Sequence, residues 1–110
     1  MATNHDGGAK RHHKDQQVCR QVHDALAMAL ADIDDPILDE LALVSVTPAP
    51  SAARVLVTFT ASASVDLDAA LVRVKALLPA LRQEVASEVH RARVPELVAR
   101  IAPPGMPLDL

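Results

Sequence analysis

The chain has 110 residues, of which half are hydrophobic and 23% charged, with one phenylalanine and no tyrosine or tryptophan. This length fits one domain, and the scarcity of aromatic rings excludes a surface that grips unpaired nucleic acid by base stacking. The apolar runs are short and interrupted, so neither a membrane span nor a signal peptide is predicted. The single cysteine, Cys19, allows no internal disulfide, which favours a reducing compartment and a cytoplasmic protein.

The net charge of −3 is unevenly distributed along the chain. Residues 1–23 and residues 69–110 each carry a net charge of +2, whereas residues 24–68 carry eight carboxylates against one arginine. If the fold brings the two basic ends together, one cationic face results. Such a face is the minimum needed to attract a phosphate backbone.

The N-terminal segment contains two glycines and no apolar periodicity, which predicts a flexible tail over residues 1–13. Apolar residues then recur at spacings of three and four, which predicts a helix that begins near Lys14 with Asp15 as its N-cap. This helix is expected to end before Pro36, because proline disfavours a helical conformation in the residue before it. The predicted apolar stripe consists of Val18, Val22, Leu26, Ala29, Leu30 and Ile33.

An antiparallel hairpin is predicted next. Residues 41–47 and 54–60 are rich in valine, leucine and threonine, and the segment between them is too short for a crossover. Alternation along the strands places one face against the core. The residues expected on that face are Val44 and Val46 in the first strand and Val55, Val57 and Phe59 in the second.

A second apolar seam follows, with a proline in its middle. The seam consists of Leu67, Leu71, Val74, Leu78, Leu81, Val85 and Val89. Because Pro79 lacks the amide that would bond the Lys75 carbonyl, an unbroken helix costs about 3 kcal/mol. We therefore expect two helices with a kink at residues 77–79, the first capped by Ser62 or Ser64.

A final short strand is predicted over residues 97–101, after the proline at position 95. Since this strand follows a helical crossover, it should pair in parallel with one strand of the hairpin. The predicted fold is α+β, with the order helix, strand, strand, helix, kink, helix, strand and a three-stranded mixed sheet covered by helices on one side. The predicted domain spans residues 14–102, and residues 103–110 form a short C-terminal tail.

Several local motifs match the pattern of one known family. They are Asp-Pro-Ile-Leu at residues 35–38, the hairpin sequences at residues 44–48 and 53–57, Leu-Arg-Gln-Glu-Val at 81–85 and Arg-Val-Pro-Glu-Leu at 93–97. With these motifs and the same element order, residues 14–101 resemble the ribosome-binding factor A family. Val-Pro-Glu-Leu is the most specific of the motifs. The family has an Ala-x-Gly kink where this chain has Leu77, Leu78 and Pro79.

The resemblance implies a type II KH-like fold and a role without enzymatic activity. Members of the family bind the small ribosomal subunit during late maturation of its RNA. The partners implied for this chain are accordingly the small subunit and its rRNA, with no DNA, membrane or cofactor. The chain is expected to act as a cytoplasmic monomer.

The residues expected to contact RNA are Lys10, Arg11, Lys14, Arg73, Lys75, Arg82, Arg91 and Arg93. Only Arg82 is carried over from a family motif; the others follow from their charge and position. They would attract phosphates without base stacking. Two alternatives stay open. These residues are merely solvated helix faces, or the domain is a KH-like module that binds a protein partner without significant RNA binding, for which the exposed Leu56 face of the sheet offers a surface for weak self-association.

Other chemistries are not favoured by the sequence. His5, His12 and His13 lie on the predicted tail, which does not preorganise a coordination sphere, so no metal site is expected. The carboxylates at residues 34–35 and 66–68 are interpreted as capping or solvated groups at helix ends, and Cys19 as a small buried residue. No nucleophile triad, phosphate loop or dinucleotide motif is present, so an enzyme is not predicted.

Overall fold

The computed structural model describes residues 2–49, 53–89 and 94–102, with side chains from Asp15 onward. In chain order, the elements are α1 (Ala2–Ala31), a 3-10 turn (Leu38–Glu40), β1 (Leu41–Pro48), β2 (Arg54–Ala61), α2 (Leu67–Glu88) and β3 (Glu96–Ala102). The strand order is β1-β2-β3, with β1 antiparallel and β3 parallel to β2. This confirms the predicted α+β class, the mixed three-stranded sheet and the parallel final strand.

The first helix is longer than the sequence pattern predicted. It begins at Ala2 rather than near Lys14, so Asp15 lies inside the helix and the prediction that it is the N-cap is wrong. Gly7 and Gly8 cost about 1 kcal/mol each relative to alanine, which does not by itself end a helix that continues through Ala9 and Lys10. The separation of residues 1–13 from the domain, and the flexibility of that tail, stay predictions. The helix ends before Pro36, as expected.

Both predicted apolar seams face the same core. In α1, Val22 and Leu26 are almost fully buried, and in α2 the same holds for Val74 and Val85. The helices pack side by side on one face of the sheet, against Val55, Val57 and Phe59 of β2. Each such side chain contributes about 1.5–3 kcal/mol by leaving water. Cys19 is buried beside the α1 seam, as interpreted from its position.

A β-bulge changes which residues of β1 face the core. The pairing runs Leu43 with Phe59 and then Ser45 with Thr58, so Val44 is the extra residue. An extra residue shifts the alternation by one, which places Leu43 and Val46 on the same face. Val46 packs against the core as predicted, whereas the expected inward position of Val44 is taken by Leu43.

The other face of the sheet carries no helix in the described part of the chain. Leu56 lies there beside Val98, its partner on β3, and both are half-buried. Arg100 donates from Nε to Thr58 Oγ1 at 3.0 Å on the same face.

Helix α2 is capped by Asp66 rather than by either of the predicted serines. The Asp66 side chain accepts hydrogen bonds from the backbone amides of Asp68 and Ala69 at 3.0 and 3.3 Å. Ser62 instead donates from its hydroxyl to Glu40 Oε2 at 2.6 Å, which links the end of β2 to the 3-10 turn. The prediction that Ser62 or Ser64 caps this helix is therefore wrong, whereas the interpretation of the carboxylates at residues 66–68 as capping groups is confirmed for Asp66.

Pro79 does not divide α2 into two helices. The helix is continuous from Leu67 to Glu88 with Pro79 inside it, so the predicted separation at residues 77–79 is wrong. Pro79 lies on the exposed side, where water can reach the Lys75 carbonyl that lacks its usual donor. Buried residues on both sides of the proline, among them Val74 and Leu81, hold both halves against the same sheet.

The position of Pro79 predicts that its removal stabilises the protein. In Pro79→Ala, the residue 79 amide can bond the Lys75 carbonyl, and we expect the free energy of unfolding to rise by about 2 kcal/mol. Urea unfolding followed by circular dichroism measures the change. As a control, Ala80→Gly on the same exposed turn should lose about 1 kcal/mol. A Pro79→Ala protein less stable than the wild type would contradict this account.

Candidate nucleic-acid interface

An open groove of about 860 Å³ runs between α2 and the chain that leads into β3. Its sides are the outer face of α2 and the edge of β3, and it contains both apolar and charged side chains. The residues that line it are Lys75, Leu78, Pro79, Arg82, Gln83, Ala86, Val94, Glu96 and Leu97. We call this surface the β3-edge groove.

Helical spacing explains why these side chains of α2 share one surface. Lys75, Pro79, Arg82 and Ala86 follow each other at intervals of three and four residues, which places them along one face of the helix. The buried Leu81 and Val85 hold the neighbouring face against the sheet. Pro79 lies between Lys75 and Arg82 and is short, so the groove stays open between the two cations.

Arg82 holds the chain that enters β3 against α2. Its Nε donates to the carbonyl of Pro95 at 3.3 Å, and its Nη2 donates to the carbonyl of Val94 at 3.1 Å. These are the Val-Pro positions of the motif noted in the sequence, whose carbonyls thereby gain a charged donor. The side chain stays exposed. The two bonds use two N–H groups of its guanidinium, which has about five, so the others remain available.

Lys75 lies at the other end of the groove, about 10 Å from Arg82 along the helix axis. It is exposed, and no hydrogen bond or ion pair to it is found among the described side chains. The lining residues carry two positive charges, on Lys75 and Arg82, and one negative charge, on Glu96. Their net charge is therefore +1. The groove can therefore accept an anionic group at Lys75, while Arg82 keeps its structural bonds.

Arg73 lies away from the groove. It is nine residues before Arg82, which places the two on opposite faces of α2. Its Nε donates to Asp35 Oδ2 at 2.6 Å and so fastens the segment after α1 to α2. Arg73 as an RNA contact stays a prediction, but the structure does not bring it together with Lys75 and Arg82.

Asp35 is the acceptor at the centre of this second cluster. Besides Arg73, it accepts bonds at Oδ1 from the backbone amides of Ile37 at 2.9 Å and Leu38 at 3.3 Å. The Arg73 hydrogen bond, aided by the two amide bonds, lowers the pKa of Asp35, although burial opposes the shift. Asp35 is thus a structural group that anchors the 3-10 turn, as well as a residue near a helix end.

The remaining predicted contacts are only partly covered by the structure. Lys10, Arg11 and Lys14 lie on the α1 backbone, and their side chains are outside the described set. Arg91 and Arg93 lie outside the described residues. Two polar residues of the groove, Gln83 and Glu96, were not singled out from the sequence, although they lie within the motifs at 81–85 and 93–97.

The side chains that the structure describes form no group of three or more histidine, cysteine, aspartate or glutamate residues able to hold a metal ion. Burial, together with the nearby Asp15 carboxylate, raises the pKa of the Cys19 thiol, which disfavours the nucleophilic thiolate. Among the residues that the structure describes, no helix is long and apolar enough to cross a bilayer.

Comparison with solved structures identifies a protein of the same fold. Ribosome-binding factor A from Thermus thermophilus superimposes with a TM-score of 0.69 at 22% sequence identity, and the match covers 79% of this chain and 94% of that one. No protein-family model and no curated protein matches the sequence. The fold of this chain is therefore similar to that of ribosome-binding factor A, which confirms the resemblance read from the sequence motifs at the level of architecture.

The Asp35 cluster predicts a stability that depends on pH in acid. Because the pKa of Asp35 is lowered in the folded state, its contribution is fully present above the unfolded value of about 4. It is lost as the pH falls through the lower folded value. Urea unfolding at a series of pH values measures this effect. The free energy of unfolding should fall less in acid for Asp35→Asn than for the wild type, because this variant is already destabilised at neutral pH.

The control is Asp34→Asn, which removes a neighbouring exposed carboxylate. Its free energy of unfolding at neutral pH should stay close to that of the wild type, and an equal loss of stability in both variants would contradict this role of Asp35.

Proposed function

We propose that this protein is a non-enzymatic maturation factor that binds the small ribosomal subunit and its RNA during late assembly in the cytoplasm. The observation that carries the proposal is the likeness of fold to ribosome-binding factor A, which extends over nearly the whole of that chain. The proposal includes no cofactor, no DNA, no membrane and a monomeric state. The sequence motifs at residues 35–38 and 93–97, which resemble the same family, support the proposal independently of the fold.

The β3-edge groove supports the proposal with a surface suited to phosphate. Lys75 is exposed and carries its charge above an apolar floor, so a phosphate there would be held by Coulomb attraction and hydrogen bonds. Arg82 offers the same chemistry with its remaining donors. The groove has no aromatic side chain, so it would recognise the shape and charge of folded RNA rather than unstacked bases. Binding of this kind is weak and readily reversed by salt, which suits a factor that must leave.

The other predicted cations extend the proposed surface. Lys10, Arg11 and Lys14 would add charge from α1, and Arg91 and Arg93 from the segment between α2 and β3. Arg73, bonded to Asp35, is proposed only as a secondary contact.

Phosphate contact predicts a specific change in salt dependence. Removing one contacting cation should lower the slope of log affinity against log salt by about 0.7–0.9, since one fewer counterion is released. Lys75→Ala tests this contact without disturbing the fold, because the Lys75 side chain makes no hydrogen bond or ion pair among the described contacts. Binding of purified small subunits, measured from about 50 to about 200 mM salt, should weaken and show the flatter slope.

The matched control is Arg100→Gln, which removes one positive charge from the helix-free face of the sheet and keeps a donor for Thr58. It should leave the slope of the wild type unchanged. Affinity that does not change with salt would refute the phosphate contact. Loss of binding in Leu56→Ser together with salt independence would instead favour the protein-interaction module, because Leu56 and Val98 form an apolar patch on that face.

A further inference from the structure

A second cleft, of about 370 Å³, lies at the opposite edge of the sheet. It is formed where the last turns of α1 pass over the 3-10 turn and the first half of β1. The residues that line it are Ala27, Leu30, Ala31, Leu38, Asp39, Leu41, Leu43 and Phe59. We call it the β1-edge cleft. Its walls are apolar apart from Asp39, and they belong to four elements fixed by the core.

Exposed apolar surface continues from this cleft along α1. Met28 is 61% exposed and is one of the two large hydrophobic residues exposed in the described part of the chain. It lies one turn before Ala31, so the two share a side of the helix. Ala27 and Ala31 are exposed as well. Methionine adapts its shape to different partners, which is why it recurs at surfaces that bind polypeptides.

The backbone of β1 is available for pairing next to this cleft. Within the described residues, β1 pairs with β2 alone. Two backbone hydrogen bonds flank the bulge. Before it, the amide of Ser62 donates to the carbonyl of Glu40, and after it, the amide of Ala49 donates to the carbonyl of Arg54. Hydrogen-bonded and non-bonded positions alternate along an antiparallel pair, so counting from these two bonds directs the N–H and C=O groups of Leu43 and Val46 toward the free edge.

A strand added to this edge would therefore place alternate side chains over the cleft. The side chain of Leu43 lines the cleft, and that of Val46 lies on the same face of the sheet. A peptide strand paired with β1 follows the same alternation, with every second residue directed to that face. Main-chain bonds would supply affinity and the cleft would select an aliphatic side chain, as in other cases of strand addition.

The charge around the cleft indicates what kind of peptide fits. Residues 24–53 contain six carboxylates and no lysine, arginine or histidine. One of the six, Asp35, is bonded to Arg73, whereas Asp32, Asp34 and Asp39 are exposed. A cationic segment is attracted to this edge and an anionic one is repelled. A second copy of β1 would bring like charges together, and RNA would bring phosphates to carboxylates.

We propose that the β1 edge and its cleft bind an extended, lysine- or arginine-rich segment of another protein, with an aliphatic side chain seated between α1 and β1. This interaction goes beyond the proposed binding of the small subunit and does not depend on it. The two surfaces lie on opposite edges of the sheet, so both can be occupied at once.

The test uses the full chain and the acetylated, amidated peptide Lys-Val-Arg-Val-Lys-Ile-Lys, titrated in an NMR experiment. We expect a dissociation constant below about 1 mM, with the largest amide shifts and new exchange protection at Leu43 and Val46. The same peptide with glutamate at every basic position should not bind. Failure of the basic peptide to bind at about 1 mM, or shifts centred on Lys75 and Arg82, would overturn the proposal.

Two charge reversals of equal size separate a local effect from an overall one. Asp39→Lys, at the cleft, should weaken peptide binding about fivefold, and Glu84→Lys, exposed on α2, by less than about twofold. Ala27→Arg is a second cleft variant on an exposed position and should weaken binding as well. Equal weakening in Asp39→Lys and Glu84→Lys, or binding of a short oligouridine at the β1 edge, would also overturn the proposal. Because only the purified chain and a peptide are used, failure here leaves the ribosomal proposal untouched.

Discussion

The structure depends on β2, a central strand whose two neighbours run in opposite directions. Antiparallel β1 can be joined to it by a short connection, but parallel β3 can be reached only through a crossover that returns along the sheet. Helix α2 is that crossover, and its apolar seam must cover β2 and β3 on its way. With α1 beside it, Val55, Val57 and Phe59 are enclosed on one face of the sheet. The continuity of α2 follows from the need to cover β2 and β3 more than from the helix propensity of any one residue.

Both surface features with functional interest follow from the same arrangement. Three strands at about 4.8 Å each make a sheet about 14 Å wide, whereas two helices side by side are about 20 Å wide. The helices therefore project past the outer strands and leave a concave surface at each edge. At β3, the concavity contains Lys75 and Arg82, and at β1 it contains aliphatic side chains and Asp39. The charged residues in each one are set by the local sequence, while the concavities themselves belong to the fold.

Local patterns in the sequence predicted the architecture well because the architecture rests on periodic burial. The seams of both helices and the alternation in β2 carry that information residue by residue. The sequence did not predict the bulge at Val44 because Leu43 and Val44 are adjacent and both apolar, so either of them could face the core. Only the pairing of β1 with β2 selects Leu43. Pro79 was misjudged because a local cost of about 3 kcal/mol is smaller than the burial gained on both sides of it. The candidate site was harder to predict than the fold, since charge alone cannot show that Arg73 and Asp35, 38 residues apart, are bonded to each other.

The separation of charge between the two edges changes what the net charge of −3 means for binding. At physiological ionic strength, charges are screened beyond about 8 Å, which is less than the width of the sheet plus the side chains at its edges. A partner therefore responds to the edge that it approaches rather than to the sum over the molecule. Under the proposed function, RNA is attracted at the β3 edge and repelled at the β1 edge, which orients the protein on its target. An acidic protein can in this way present a basic surface to RNA and keep its acidic edge free for a basic polypeptide.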